Sequence, residues 1–171
     1  MSGKPKKIFY PIEKLSSEHE VESFDCGKEE LNLFLKQFAL VNQHAESAQT
    51  YVACKAQQVV AYYSLTVGSI LHPDAPERVK KGLPKYPIPV MILARLAVDS
   101  QFHGQGLGKA LLKNALQRTA QGADIAGIRA LLVHAKDDEA KSFYEYFNFD
   151  PSPANPYLLF LIMKDIKRLV L

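Results

Sequence analysis

Three alternating glycines, Gly104, Gly106 and Gly108, followed by Lys109, are the residues best spaced for chemistry. They stand in the run HGQGLG, from His103 through Gln105 and Leu107 to Gly108. Glycine lets the backbone bend sharply and come close to a ligand. The first turn of a helix leaves backbone N–H groups unpaired, and the helix dipole adds partial positive charge there. A glycine-alternating turn that opens a helix is therefore an anion cradle suited to a pyrophosphate. The Walker pattern does not fit, because Ala110 follows Gly108-Lys109 where a hydroxyl residue is needed for magnesium. The dinucleotide pattern Gly-x-Gly-x-x-Gly fails as well, since Lys109 occupies its last glycine.

The elements around the turn must present it. Val90 to Val98 is almost continuously apolar, the pattern of a strand buried on both faces. Beyond the turn, Leu107, Ala110, Leu111, Ala115 and Thr119 recur at helical spacing, with Lys109, Lys113 and Arg118 on other faces. Upstream, Ile8 to Leu15 reads as a short or edge strand because of Pro11. Asp25 is placed to cap a helix that carries Glu29 and Glu30 in its first turn and runs to about Gln43. Thr50 to Lys55 and Val59 to Ile70 form a hairpin around Gln57-Gln58.

Leu71 to Pro89 holds five prolines and the cluster Arg78, Lys80, Lys81 and Lys85. It reads as a long loop, either a solvated surface or a lid and RNA contact. Downstream come a strand over Arg129 to Ala135, a helix over Asp137 to Phe147 capped by Asp137 or Asp138, a turn at Asp150 to Pro153, and a last strand from Tyr157 to Met163. The order β, α, β-hairpin, β, α, β, α, β implies a mixed sheet in an α/β or α+β domain.

The 171 residues suit one domain spanning 1–171, with 47% apolar and 23% charged residues. A net charge of +3 permits a nucleic-acid partner without arguing for one. Cys26 and Cys54 form no CxxC, which points to a reducing compartment. No signal peptide or membrane-length apolar run is present, so a cytoplasmic protein is expected. None of the five histidines shows metal-site spacing, and no metal is expected. Lys4, Lys6 and Lys7 read as a solvated tail.

HGQGLG resembles motif A of the GCN5-related N-acetyltransferases (GNAT), with His103 where that family has Arg or Gln. The stretch Ala135 to Phe149 resembles their motif B through Ala140, Tyr144 and Phe149, with Asp137 in place of Asn and Asn148 in place of Gly. Asn tolerates the left-handed conformation well, so the turn can survive. Further segments, FDCGKEELNLFL, TYVACKAQQVVAYYSLTVGSI, LPKYPIPVMILARLAVD and FDPSPANPYLLFLIMKDI, are similar to the acetyltransferase toxins of bacterial toxin–antitoxin modules.

The resemblance implies a GNAT fold: a mixed, mostly antiparallel sheet of about six or seven strands flanked by helices. It implies acetyl-CoA as co-substrate, the α-amine of aminoacyl-tRNA as acceptor, a ribbon–helix–helix antitoxin as partner, and a homodimer. Leu96, Ala97 and Val98 would face the pantetheine, His103 to Lys109 would hold the pyrophosphate, and Asp137 would lie at the cofactor. Arg78, Lys80, Lys81, Lys85 and Arg95 would meet tRNA phosphates.

Tyr144 would be the general acid. A phenol with a pKa near ~10 can donate to a departing thiolate. A free α-amine, with a pKa of ~7.7–8.0, is partly neutral at pH 7 and needs no strong base. Two other readings stay open: an acetyltransferase acting on a small-molecule or protein amine, and a CoA-binding regulatory module without catalysis.

Overall fold

The computed structural model describes residues 10–170. Strands form where Val, Ile, Tyr and Thr concentrate, since branched and aromatic side chains suit a pleated surface. They are β1 (Ile12–Lys14), β2 (Gln49–Lys55), β3 (Gln58–Ile70), β4 (Ile88–Val98), β5 (Ala130–His134), β6 (Asp150–Pro151) and β7 (Leu158–Ile162). Their order in one seven-stranded sheet is β1-β2-β3-β4-β5-β7-β6. β1 pairs antiparallel with β2, and β7 pairs antiparallel with both β5 and β6. β4 and β5 pair in parallel, with Val90 opposite Ala130. The sheet is therefore mixed, as the order of elements implied. The expected start of β1 at residues 8 and 9 and the tail lysines lie outside the described residues.

Residues 10–64 and 95–112 form one compact unit, and residues 65–94 and 113–170 form the other. In the first, Phe24, Leu31, Phe34, Leu35, Val52, Val59, Tyr62 and Ala97 share a core. Here β2 and β3 turn at Ala56 and Gln57, both left-handed at φ 49° and 69°, the geometry of a two-residue hairpin loop. The turn thus falls one residue earlier than expected.

The first helix is not capped by Asp25. Helix α1 (Glu29–Leu33) starts after Lys28, and Asp25 spends its carboxylate on Gly27 and Asn32 instead. A π-helical turn, Phe34–Phe38, follows, and then α2 (Ala39–His44). The wider turn accommodates an extra residue and brings Ala39 fully inside. Gln43 then bonds two strands' worth of backbone, donating to the Leu15 carbonyl (2.7 Å) and accepting the Thr50 N–H (3.0 Å).

In the second unit, Ala75, Val79, Ile88, Val90, Ala130, Leu132 and Phe160 form the core. The proline-rich segment expected as a loop is partly folded. It contains a 3-10 turn at His72–Asp74 and helix α3 (Glu77–Lys80). Burying Ala75 and Val79 fixes it there. The Arg129 guanidinium donates to the carbonyls of Val79 (2.8 Å) and Lys81 (3.2 Å) and secures its end. Two further elements went unread in the sequence: β6, which uses the expected Asp150-Pro151 turn residues, and helix α6 (Met163–Val170).

Candidate active site

Strand β4 runs into a short 3-10 turn, Ser100–Phe102, and then into the glycine run and helix α4 (Leu107–Ala123). Asp99, buried at 4% exposure, shapes this junction. One carboxylate oxygen accepts the Gln101 N–H (2.9 Å), and the other accepts the Asp25 N–H (3.0 Å). Gly104 and Gly106 are left-handed, with φ of 77° and 79°. A Cβ at either would meet no atom within 4 Å. Glycine is required there by backbone conformation, and the space in front of the turn is open.

The first intrahelical bond runs from the Ala110 N–H to the Gly106 carbonyl (3.0 Å), so the amides before it point out of the helix end. Leu107 is buried and anchors the turn, Lys109 is exposed, and no acid stands in the first turn of α4. Alternating left-handed residues before an uncapped helix start form a concave set of donors. These residues fit a diphosphate.

The His103 side chain faces the strand that precedes the turn. Its Nε2–H donates to the Val98 carbonyl at 2.8 Å, tying the side chain back onto β4. Of the residues expected along the pantetheine, Ala97 is buried, while Leu96 and Val98 are half-buried. A carbonyl oxygen has two lone pairs, so Val98 can still accept one further bond.

Arg95 is half-buried on β4, and its guanidinium lies over the Phe34 ring, 3.7 Å from the centroid. Among the described residues it makes no ion pair. Phe34, a core residue of this unit, is thus also the platform for this cation. Its partner lies 61 positions away, and no local pattern announces the pair.

In the second unit, helix α5 (Asp138–Tyr146) carries Tyr144. Asp137 caps the helix, its Oδ1 accepting the Ala140 N–H at 2.8 Å. The Tyr144 ring is buried between Phe143 (5.1 Å) and Phe149 (5.3 Å). Asn148, at φ 67°, takes the left-handed turn that the resemblance gave to glycine, and Phe149 follows.

Burial holds the Tyr144 phenol neutral well above the usual tyrosine range. The hydroxyl forms no hydrogen bond among the described residues. It is not sealed in, because Gln49 Oε1 is the only sealed side-chain polar atom without a partner among them. A neutral, unengaged donor is what an acid needs before substrate arrives. Tyr146, two residues on, is exposed.

The basic cluster divides. Arg78 makes a two-pronged ion pair with Asp165 (2.8 and 3.1 Å) and lies 3.8 Å from Asp150. Lys80 lies 3.9 Å from Glu77, whereas Lys81 and Lys85 are exposed.

Among the described residues, one group of potential metal ligands comes together: Glu13, His19 and Cys54 place their ligand atoms within 4.8 Å of one another. His19 Nδ1 accepts the Ser16 N–H (2.9 Å), so its Nε2 carries the proton given to Glu13 (2.7 Å). Burial pushes the Cys54 thiol up to about 11.

Residues 46–151 match the model of the acetyltransferase (GNAT) domain. A tRNA-acetylating toxin of Mycobacterium tuberculosis is 43% identical over 157 residues, covering 92% of this chain and 94% of that protein. Among solved structures, AtaT complexed with acetyl-methionyl-tRNAfMet is 30% identical, with a TM-score of 0.88 over 95% of this chain and 100% of that one. A mutant AtaT toxin bound to the C-terminus of the antitoxin AtaR and acetyl-CoA is 29% identical, with a TM-score of 0.81 over 95% and 98%.

Proposed function

This chain belongs to the GNAT acetyltransferases, and on that footing we propose that it is a toxin that acetylates the α-amine of aminoacyl-tRNA and so blocks translation. The observation that carries the reading is 43% identity to a tRNA-acetylating toxin in an alignment covering 92% of the chain. The diphosphate-shaped turn at Gly104 and Gly106 supports it.

Acetyl-CoA, when bound, supplies an activated acyl carbon and a thiolate leaving group. The amides from His103 to Lys109 hold its diphosphate, and the backbone of Leu96, Ala97 and Val98 lies along its pantetheine. The acceptor amine attacks as the free base, forming a C–N bond as the C–S bond breaks. Water takes the amine's proton. Tyr144 gives a hydrogen bond that strengthens as charge gathers on sulfur, and it passes its proton to sulfur as it regains one from the water that took the amine's proton. Its high pKa makes it a reluctant donor to a free thiolate, so it acts on the charge-rich transition state. Holding the amine at the thioester supplies much of the remaining rate.

Arg95 is the cation best suited to a tRNA phosphate, because it is held over the Phe34 ring and has no carboxylate partner among the described residues. In the second unit, Lys81 and Lys85 are exposed cations that can also meet phosphates. Arg78 is committed to Asp165. The partner that restrains the toxin is an antitoxin of ribbon–helix–helix type, and the toxin works as a homodimer in the cytoplasm, where charged tRNA is found. No helix among the described residues is long and apolar enough to cross a membrane.

Labelled acetyl transfer to charged and uncharged tRNA tests the proposal. Label is expected on the charged pool alone. Transfer to a polyamine or protein terminus with none to charged tRNA would reject it.

A further inference from the structure

The glycine turn is held in place by residues far from it in sequence. Asp25 grips the strand–turn junction with its backbone. Its N–H donates to Asp99 Oδ2 (3.0 Å), and its carbonyl accepts the Ser100 N–H (2.9 Å). Asp99 in turn donates its own N–H to the Val60 carbonyl (2.8 Å), fixing the junction to β3. The residues that lead into the cradle are thus clamped on both sides.

Asp25 is itself held by a side-chain lock. Its Oδ1 accepts both the Gly27 N–H and the Asn32 Nδ2–H, each at 2.9 Å. Asn32 Oδ1 accepts the Cys26 N–H, also at 2.9 Å. Asn32 is buried at 4% exposure on α1, yet every bond it makes through its side chain goes to the 25–26 turn. Gly27 is left-handed at φ 84°, and a Cβ there would sit 3.6 Å from Ser100 Oγ. The turn therefore packs closely on the residue after Asp99.

We infer that Asn32 and Asp25 are positioning residues for the acetyl-CoA cradle. They touch no part of the ligand. They fix the turn that clamps Asp99 and Ser100, and so set the direction in which the amides of residues 103–109 point. The inference rests on the cradle reading above. Preorganised donors bind an anion without reorganisation cost, so loosening them weakens binding of acetyl-CoA more than turnover at saturation.

The test uses the full chain and calorimetric titration with acetyl-CoA, beside steady-state kinetics and thermal melts. Asn32→Ala and Asp25→Ala are each expected to raise Kd and KM for acetyl-CoA about 10-fold, with kcat at saturation within about twofold, as expected when only preorganisation is lost. Asp25→Asn keeps the Oδ1 that accepts both bonds and is expected to bind within about twofold of wild type. The Asp25 pair decides the matter even where Asn32→Ala folds poorly, because the Asp25 side chain is exposed. A lower Tm with unchanged Kd in Asp25→Ala would overturn the inference, as would equal loss in Asp25→Asn and Asp25→Ala. A wild-type protein that gave no heat with acetyl-CoA would instead reject the cradle reading and the inference with it.

Discussion

The Arg95 guanidinium carbon lies over the Phe34 ring, 3.7 Å from its centroid, and Phe34 stacks on Tyr62 with ring centres 6.2 Å apart. Tyr62 anchors the stack by donating its hydroxyl to the Leu31 carbonyl at 2.7 Å. The cation is thus oriented by aromatic faces, which leaves its N–H groups for a ligand. A stacked guanidinium is not replaced by lysine, whose ammonium lacks the plane.

Arg95→Ala is therefore expected to raise KM for aminoacyl-tRNA about 10-fold and to reduce the salt slope of binding by about one. Arg95→Lys should recover little. Turnover measured across a series of salt concentrations checks this. A slope equal to that of wild type would remove Arg95 from the tRNA interface.

Arg78 should behave oppositely. Its ion pair holds the Asp165 carboxyl below the ordinary carboxylate range. A carboxylate with a lowered folded pKa contributes stability above its unfolded pKa of ~4, and that contribution fades as pH falls through the folded value. Arg78→Ala should lower Tm at pH 7, lower it less below pH ~4, and leave the salt slope for tRNA unchanged. Melts at the two pH values and the same salt series test both halves.

Tyr144→Phe removes a hydroxyl and keeps a buried ring. It should lower kcat by ~10²–10⁴-fold, the usual worth of a general acid. Calorimetry should find the affinity for acetyl-CoA unchanged. A variant with full activity would show that Tyr144 only packs against Phe143 and Phe149.

Alkaline titration should separate the tyrosines. Burial pushes both Tyr62 and Tyr144 well above their ordinary value, and neither titrates with the exposed phenols. A raised folded pKa in an acid means full stability below the unfolded pKa of ~10 and progressive loss as pH rises beyond it. Absorbance of the phenolate should show at least two of the eight tyrosines silent until the fold is lost. Tyr144→Phe should shrink that late step. A smooth titration of all eight near pH ~10 would contradict the buried placement.

What the sequence disclosed followed local chemistry. Gly104 and Gly106 announced a sharp turn, Asp137 or Asp138 announced a cap, and Asn148 announced a left-handed stop, because each acts on its own neighbours. Asp25 misled for the same reason. It has the signature of a cap, but Asn32 and Asp99 engage it elsewhere, the latter 74 positions away. Arg78 looked like a free cation because Asp165 lies 87 positions downstream. Helix α3 was hidden by prolines, and only burial of Val79 reveals why that segment folds. Pairings that close over long chain separations leave no local trace.

The wide turn at Phe34–Phe38 has a consequence for how this helical segment tolerates change in length. Removing exposed Gln37 would close the wide turn to an ordinary one and let α1 run into α2 with the faces on both sides kept. Gln43 would still reach Leu15 and Thr50, and Ala39 would stay inside. A single-codon deletion within α2, where no spare residue stands, would instead turn everything after it by roughly 100° and unfasten β2 from the helix.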